Sequence, residues 1–299
     1  MHIEVERLSY SYNPTSPSAY ALKDVSLTIE EGAFFGIIGH TGSGKSTFVQ
    51  HLNALIKLPT AEKKFKPKKG VVYPSIRIGD FDLADKHTDW KALRSKVGIV
   101  FQYPEYQLFA ESVKEDVAFG LKNFSQTPLT PEETEAHVKE ALTAVGLNYE
   151  EVKDASPFDL SGGQKRRVAI AGVIVTKPEI LVLDEPAAGL DPLGKREIMG
   201  LLHSLHRSWC KTIVIVSHDM DEIGENCTKV AVFADGELKF LLPPSELFLH
   251  DEELEALGLD IPTTAKVRRA LKERGISVDT DFTSEDFARR ILALGGRHV

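Results

Sequence analysis

Phe34-Phe35-Gly36-Ile37-Ile38-Gly39-His40-Thr41-Gly42-Ser43-Gly44-Lys45-Ser46-Thr47 decides how this chain is read. Phe34 to Ile38 is a short, continuous apolar run, the pattern of a strand covered on both faces. It runs into a glycine-rich turn. From Lys45 to Ile56 the pattern becomes helical, with Phe48, Leu52 and Leu55 on one side. A strand, then Gly-x-x-x-x-Gly-Lys-Ser, then a helix is the context a phosphate-cradling loop requires. The glycines let backbone N–H groups turn inward onto phosphate oxygens. The helix N-terminus adds its dipole. Lys45 supplies a full positive charge, and the Ser46 hydroxyl is a hard oxygen ligand suited to Mg²⁺.

Outward from this stretch, Val25, Leu27 and Ile29 alternate with polar residues as in a half-buried strand. Ile180-Leu181-Val182-Leu183 and Ile213-Val214-Ile215-Val216 are further buried strands. Asp116 to Gly146 and Leu160 to Val175 read as helical, the former with a capped start at Thr130-Pro131-Glu132-Glu133. Strands alternating with helices predict an α/β fold with a mostly parallel sheet. Pro243-Pro244 then breaks the chain before a charged helical tail. There Thr283-Ser284-Glu285-Asp286 suggests a capping box, and Val267 with Leu271 an apolar stripe.

Two more motifs carry chemistry. Asp184 and Glu185 end an apolar strand, at the edge where open α/β sheets bind ligands. Asp184 suits Mg²⁺, and Glu185 is placed to orient or deprotonate a water. Ser161-Gly162-Gly163-Gln164 is either a plain N-capped helix start or a second phosphate nest. One γ-phosphate enclosed by the first loop cannot use both. A second nest therefore suggests a composite site completed by another subunit.

Composition narrows the classes. Lys and Arg total 36 against 44 Asp and Glu, a net charge of -8, which argues against a general nucleic-acid-coating protein. Cys210 and Cys227 are too few for a disulfide scaffold and fit a reducing cytosol. No apolar run approaches the roughly 18 residues of a membrane span, and the N-terminus lacks a secretory pattern. Work at a membrane would need a partner. At about 150 residues per domain, 299 residues suggest about two domains. Residues 57–70 hold Lys57, Lys63, Lys64, Lys66, Lys68 and Lys69, with Pro59 and Pro67. That is a solvated loop or a patch for anionic lipid head groups.

With these residues in hand, the chain resembles the ABC-transporter ATPases over about residues 1–242, with the motifs in family order. Gly39, His40, Thr41, Gly42, Ser43, Gly44, Lys45, Ser46 and Thr47 match the Walker A, or P-loop, motif. Gln102 matches the Q-loop glutamine, a contact to Mg²⁺ and the attacking water. Leu160 to Gln164 match the LSGGQ signature that closes on the opposite subunit's ATP. Asp184 matches the Walker B acid, Glu185 the catalytic glutamate, Asp191 the D-loop and His218 the switch histidine. Tyr12 sits where the family stacks an aromatic on adenine, with Tyr10 its rival. The resemblance thus implies a cassette with a mixed, mostly parallel sheet, an antiparallel β subdomain and a helical subdomain at about 103–175.

Phe101 to Phe109, His40-Thr41 and Arg166 to Gly172 resemble energy-coupling factor (ECF) transporter ATPases of the EcfA type, the second (A-prime) member of the pair more than the first. That resemblance implies a second EcfA-type ATPase as partner, in a heterodimer. It also implies a transmembrane T-component, substrate-binding S-components for a vitamin or other micronutrient, and a peripheral place on the cytoplasmic face of the membrane. The tail, residues 243–299, would serve ATPase association. Tyr103, Pro104, Glu105 and Gln107 would dock the T-component, Glu105 receiving a basic residue, with Pro104 biasing Tyr103 toward an extended backbone. Lys165 and Ala187 depart from common family residues, and the lysine-rich insertion is long, but no catalytic atom is lost. ATPases of metal or amino-acid importers share every catalytic residue; only the docking segment and tail favour the ECF class. A DNA-repair ATPase is excluded, because the 116 residues from Lys45 to Ser161 leave no room for its coiled coils. A translation factor would carry two cassettes.

Overall fold

The computed structural model describes residues 1–13, 20–62, 66, 71–125, 127–280 and 282–295. Lys63, Lys64, Pro67, Lys68 and Lys69 of the basic insertion lie outside the described residues. The chain begins with β1 (Ile3–Ser11), β2 (Tyr20–Ile29), β3 (Phe34–Gly39) and α1 (Lys45–Leu52). Next come β4 (Ser75–Ile78), β5 (Phe81–Asp82), α2 (Trp90–Lys96) and β6 (Val97–Val100). A helical segment follows: α3 (Val113–Phe124), α4 (Pro131–Ala144), α5 (Tyr149–Val152) and α6 (Gly162–Ile174). Then the chain returns to the sheet with β7 (Ile180–Asp184), α7 (Pro192–Ser208), β8 (Thr212–Val216), α8 (Met220–Asn226), β9 (Lys229–Ala234) and β10 (Glu237–Leu242). The tail is α9 (Pro244–Leu247), α10 (Asp251–Ala256), α11 (Thr263–Glu273) and α12 (Ser284–Gly295).

The larger sheet runs β10-β9-β3-β8-β7-β6, parallel except for the β9–β10 pair. The smaller, β2-β1-β4-β5, is antiparallel. Strand alternation divides the apolar runs between two cores. Phe34, Ile38, Leu181, Leu183, Ile213 and Ile215 face the helical segment, α7 and the tail. Phe35, Ile37, Ile180, Val182, Val214 and Val216 face the small sheet and α1. Both faces of each strand are therefore dry, which is why these runs carry no polar residues. Phe248, Leu254, Leu259, Ile261, Ala265 and Phe282 join the first core, so the tail covers the same face of the sheet.

Three local expectations change. Helix α1 stops at Leu52, because Ala54 turns left-handed (φ 55°), so Leu55 leaves the stripe and is exposed. The helical reading from Asp116 to Gly146 resolves into α3 and α4, the second opened by the expected Thr130–Glu133 capping box. On α11 the buried residues are Thr264 and Ala265, whereas Val267 is exposed. The N-cap expected at Thr283 forms, Asp286 N–H donating to its Oγ1 at 3.3 Å. No described helix is long and apolar enough to cross a membrane.

Candidate nucleotide-hydrolysis site

Parallel strands place their C-terminal ends along one edge. Gly39 leaves β3 there, Gln102 follows β6, Asp184 and Glu185 end β7, and His218 follows β8. Gln102, Asp184, Glu185 and His218, together with Tyr12, Lys45, Ser46 and Thr47, line one open cavity of about 380 Å³. Thr41, Gly42 and Gly44 line it as well.

The loop's shape depends on two glycines. Gly39 has φ 156°, and a Cβ there would stand 2.3 Å from Phe233 O. At Gly44, φ 104°, a Cβ would stand 2.4 Å from Ala21 O. Lys45 is buried and folds back, its Nζ donating to Gly39 O at 2.6 Å and His40 O at 3.0 Å. Burial pushes its pKa down, against the upward pull of Glu185 and Asp184. Ser46 Oγ donates to Asp184 Oδ2 at 3.2 Å. His40 points away, Nδ1 bonding Thr41 O at 2.8 Å. Ser43 is buried, and its N–H and C=O brace the loop against His40 and Gly236.

Glu185 takes a left-handed backbone (φ 53°), its N–H donating to Val216 O at 2.9 Å. Its carboxyl is pushed up to about 7, first by burial and then by the Asp184 charge. A carboxyl titrating near neutrality suits general-base work at physiological pH. His218 Nε2 stands 3.5 Å from Glu185 Oε1, an oxygen that is buried without a hydrogen-bond partner. Burial and then Lys45 lower the histidine pKa. Burial also raises the pKa of Asp184. Tyr12 faces the cavity, its hydroxyl 3.2 Å from Thr47 Oγ1, while its rival Tyr10 packs on His51 instead.

The other site residues lie elsewhere. Ser161 and Gln164 close a reciprocal capping box, at 3.3 and 3.0 Å, and Gly162 and Gly163 face open space. Asp191 caps α7, accepting from Gly194 N–H at 2.7 Å. Gln107 lines a separate cleft of about 410 Å³ between α2–β6 and the helical segment, with Phe109 and Phe119 on its wall. Tyr103 is not extended but left-handed (φ 54°), because its carbonyl closes a turn with Tyr106 N–H. Pro104 is buried, and the Glu105 carboxylate already faces Arg166 of the same chain.

Two features escaped the reading of the sequence. Arg166 stood within a basic run with nothing to mark it as buried. The loop after His218 is braced by Ser217 Oγ donating to Glu222 at 2.6 Å and by Lys195 on Asp219 at 2.7 Å. Asp219 with Glu222, an N-cap spacing, was the available signal.

The sequence pattern of the family described as ABC transporter matches residues 22–188. The chain is 44% identical over 296 residues to the energy-coupling factor transporter ATP-binding protein EcfA2 of Clostridium tetani, covering 98% of this chain and 97% of that one. Against EcfA2 of Clostridioides difficile the figures are 46% over 297 residues, 98% and 97%. Among solved structures, cbiO1 from Clostridium perfringens, part of the ABC transporter complex cbiONQ, superposes with TM-score 0.68 at 36% identity, covering 89% of this chain and 98% of that. The ATP-binding cassette MJ0796, a dimer in a post-hydrolysis state bound to ADP and Pi, gives 0.67 at 29%, covering 81% and 98%. The motifs, the sheet edge and these likenesses agree: the chain belongs to the ABC transporter family, within the energy-coupling factor transporter ATP-binding proteins of EcfA2 type, and is an ATPase subunit of a transporter.

Proposed function

We propose that ATP is bound over the P-loop at the β3–β7–β8 edge and hydrolysed there with Glu185 as general base. The observation that carries this reading is the convergence of Lys45, Ser46, Gln102, Asp184, Glu185 and His218 on one cavity. Backbone N–H groups of the loop and the Lys45 ammonium hold the phosphates, and Tyr12 offers its exposed ring to the adenine. Glu185 takes a proton from the attacking water. His218, beside Glu185 Oε1, holds that carboxylate and reaches the γ-phosphate. Ser46, Gln102 and Asp184 present oxygen donors of the hard kind that Mg²⁺ takes, and the Ser46–Asp184 contact already brings two together. Bound there, Mg²⁺ would supply positive charge against the phosphate oxygens.

The signature turn Ser161–Gln164 and Asp191 serve a nucleotide held by a second EcfA-type ATPase, a reading supported by the dimeric state of the MJ0796 cassette. The helical tail, residues 243–299, assists that association. The chain sits peripherally on the cytoplasmic face of a membrane, its Tyr103–Gln107 segment and the adjoining cleft docked on a T-component that works with S-components. The cargo is a vitamin or other micronutrient.

Capture of the tagged chain from solubilised membranes tests the assembly. A second ATPase and a polytopic membrane subunit should co-purify and hydrolyse ATP. Recovery of the chain alone, or of a complex without ATPase activity, would refute the proposal.

A further inference from the structure

Arg166 is a buried charge to which the hydrolytic reading assigns no task. It lies in the second turn of α6, just beyond the signature turn, and is 4% exposed. Its guanidinium serves two segments distant in sequence. Nη1 donates to Ala188 O at 2.8 Å and to Pro186 O at 3.4 Å. Nε and Nη2 face Glu105 Oε2 and Oε1, each at 3.4 Å, as a fork on the carboxylate. Its neighbour Arg167 instead reaches outward to Glu197 and to Val145 O.

Filling this space does not require a charge. An apolar side chain of the same volume would avoid taking a guanidinium out of water. What an apolar residue could not do is hold both distant segments to α6 at once. Pro186 and Ala188 follow Glu185 directly and lead into the turn before Asp191. Glu105 sits in the short turn after Gln102 and Tyr103. Glu185 and Tyr103 both hold left-handed backbones, which persist only where neighbouring contacts enforce them. Arg166 makes such contacts on the chain beyond each.

We propose that Arg166 is a positioning residue for ATP hydrolysis. Its guanidinium holds the Pro186–Ala188 backbone, and with it the Glu185 carboxylate, in register with the Gln102 segment, using Glu105 as counterion. A change at Glu105, including a partner's cation drawn to it, is therefore felt at Glu185. This inference rests on the proposed role of Glu185.

The test uses the full chain with the subunits that co-purify with it. ATP turnover, KM and nucleotide affinity are measured for wild type, Arg166→Gln, Arg166→Lys, Glu105→Gln, the Arg166→Gln/Glu105→Gln double variant and Glu185→Gln. Misplacing a reacting group lowers turnover without loosening ground-state binding, so Arg166→Gln should lose about 10²-fold in kcat with nucleotide affinity nearly unchanged. Arg166→Lys should recover only part, because one ammonium cannot serve the carbonyls and the carboxylate together. Glu105→Gln should cost less, and the double variant no more than Arg166→Gln alone. Losses that add in the double variant, or an Arg166→Gln kcat within about twofold of wild type, overturn the proposal. Should Arg166→Gln fail to assemble, full wild-type turnover in Arg166→Lys overturns it equally. A dead Glu185→Gln beside a normal Arg166→Gln sinks the clamp alone. Undiminished turnover in Glu185→Gln sinks the hydrolytic reading and the clamp with it.

Discussion

Two glycine-rich turns open helices in this chain, and they are built on opposite terms. At the P-loop the glycines are required by the chain itself: a Cβ at Gly39 or Gly44 would collide with the backbone of Phe233 or Ala21. Helix α1 starts without a side-chain cap, and groups from four strand ends gather over its N-terminus. At the signature turn Ser161 and Gln164 satisfy each other, and a Cβ on Gly162 or Gly163 would meet nothing within 4 Å. Among the described residues nothing demands glycine there. A demand from outside the chain is what the proposed site, completed by another subunit, would supply.

The sharpest way to break the comparison is to disable the completed side. Glu185→Gln keeps the volume and removes the base, so turnover in the assembled complex should fall by roughly 10²–10⁴ while ATP affinity survives. If turnover persists, the P-loop cavity is not where water is activated. The open side is next. Gly163→Ala should raise the melting temperature slightly, since alanine at a compatible backbone position gains about 0.4–1 kcal/mol by lowering the entropy of the unfolded chain. The same change should cost about 10²-fold in hydrolysis by blocking backbone donors from a partner's nucleotide. Stability and activity then move in opposite directions, and a variant that loses neither would return the turn to a plain helix cap. Gly39→Ala acts the other way. Its Cβ must displace Phe233 O, so the isolated chain should lose about 1–3 kcal/mol in a denaturant titration. An unchanged midpoint would mean that the loop tolerates a side chain and that the contrast is false.

Legibility in the sequence follows the same division. Phe34–Ile38, Ile180–Leu183 and Ile213–Val216 announce themselves because strands covered on both faces must be apolar throughout, and the polar residues ending them lie at the ligand edge by topology. Asp184 and Glu185 were therefore readable from the strand they end, whereas Gln102 and His218 were marked only by the family resemblance. Arg166 was not readable, because its partners lie 61 residues before it and 20 and 22 after it, beyond any local period. For the same reason the sequence does not show that the Glu105 carboxylate, read as a docking group, also faces the chain's own Arg166 guanidinium. Local turn chemistry was misread where one residue overrides a pattern, as Ala54 does in ending α1 and Tyr103 in turning left-handed. The tail's helices were visible, but that α11 buries Thr264 and Ala265 rather than Val267 depends on the α8 carboxylate that holds its start: Asp221 accepts from both Thr263 N–H and its hydroxyl.

The smallest effect concerns the cost of packing α1 so tightly behind the P-loop. His51 lies in its last turn, 1% exposed, with Nδ1–H donating to Thr47 O at 2.7 Å and Nε2 buried without a partner. Burial holds its pKa below the ordinary histidine value. Between the folded and unfolded values the unfolded chain binds the extra proton, so stability is full above about pH 6.5 and declines as pH falls toward the folded value. Helix α6 carries no such group. Glu222, raised by burial, contributes in the opposite sense, since its stabilisation is lost as pH rises. That contribution is common to any pair of variants differing only at residue 51. His51→Gln should therefore be less stable at pH 7.5, because an amide is buried in place of a fitted ring, yet its midpoint should fall less on acidification. The check is a pair of denaturation midpoints at several pH values for each protein. Parallel curves would show that His51 does not resist protonation, and that the P-loop helix is no more tightly sealed than the signature helix.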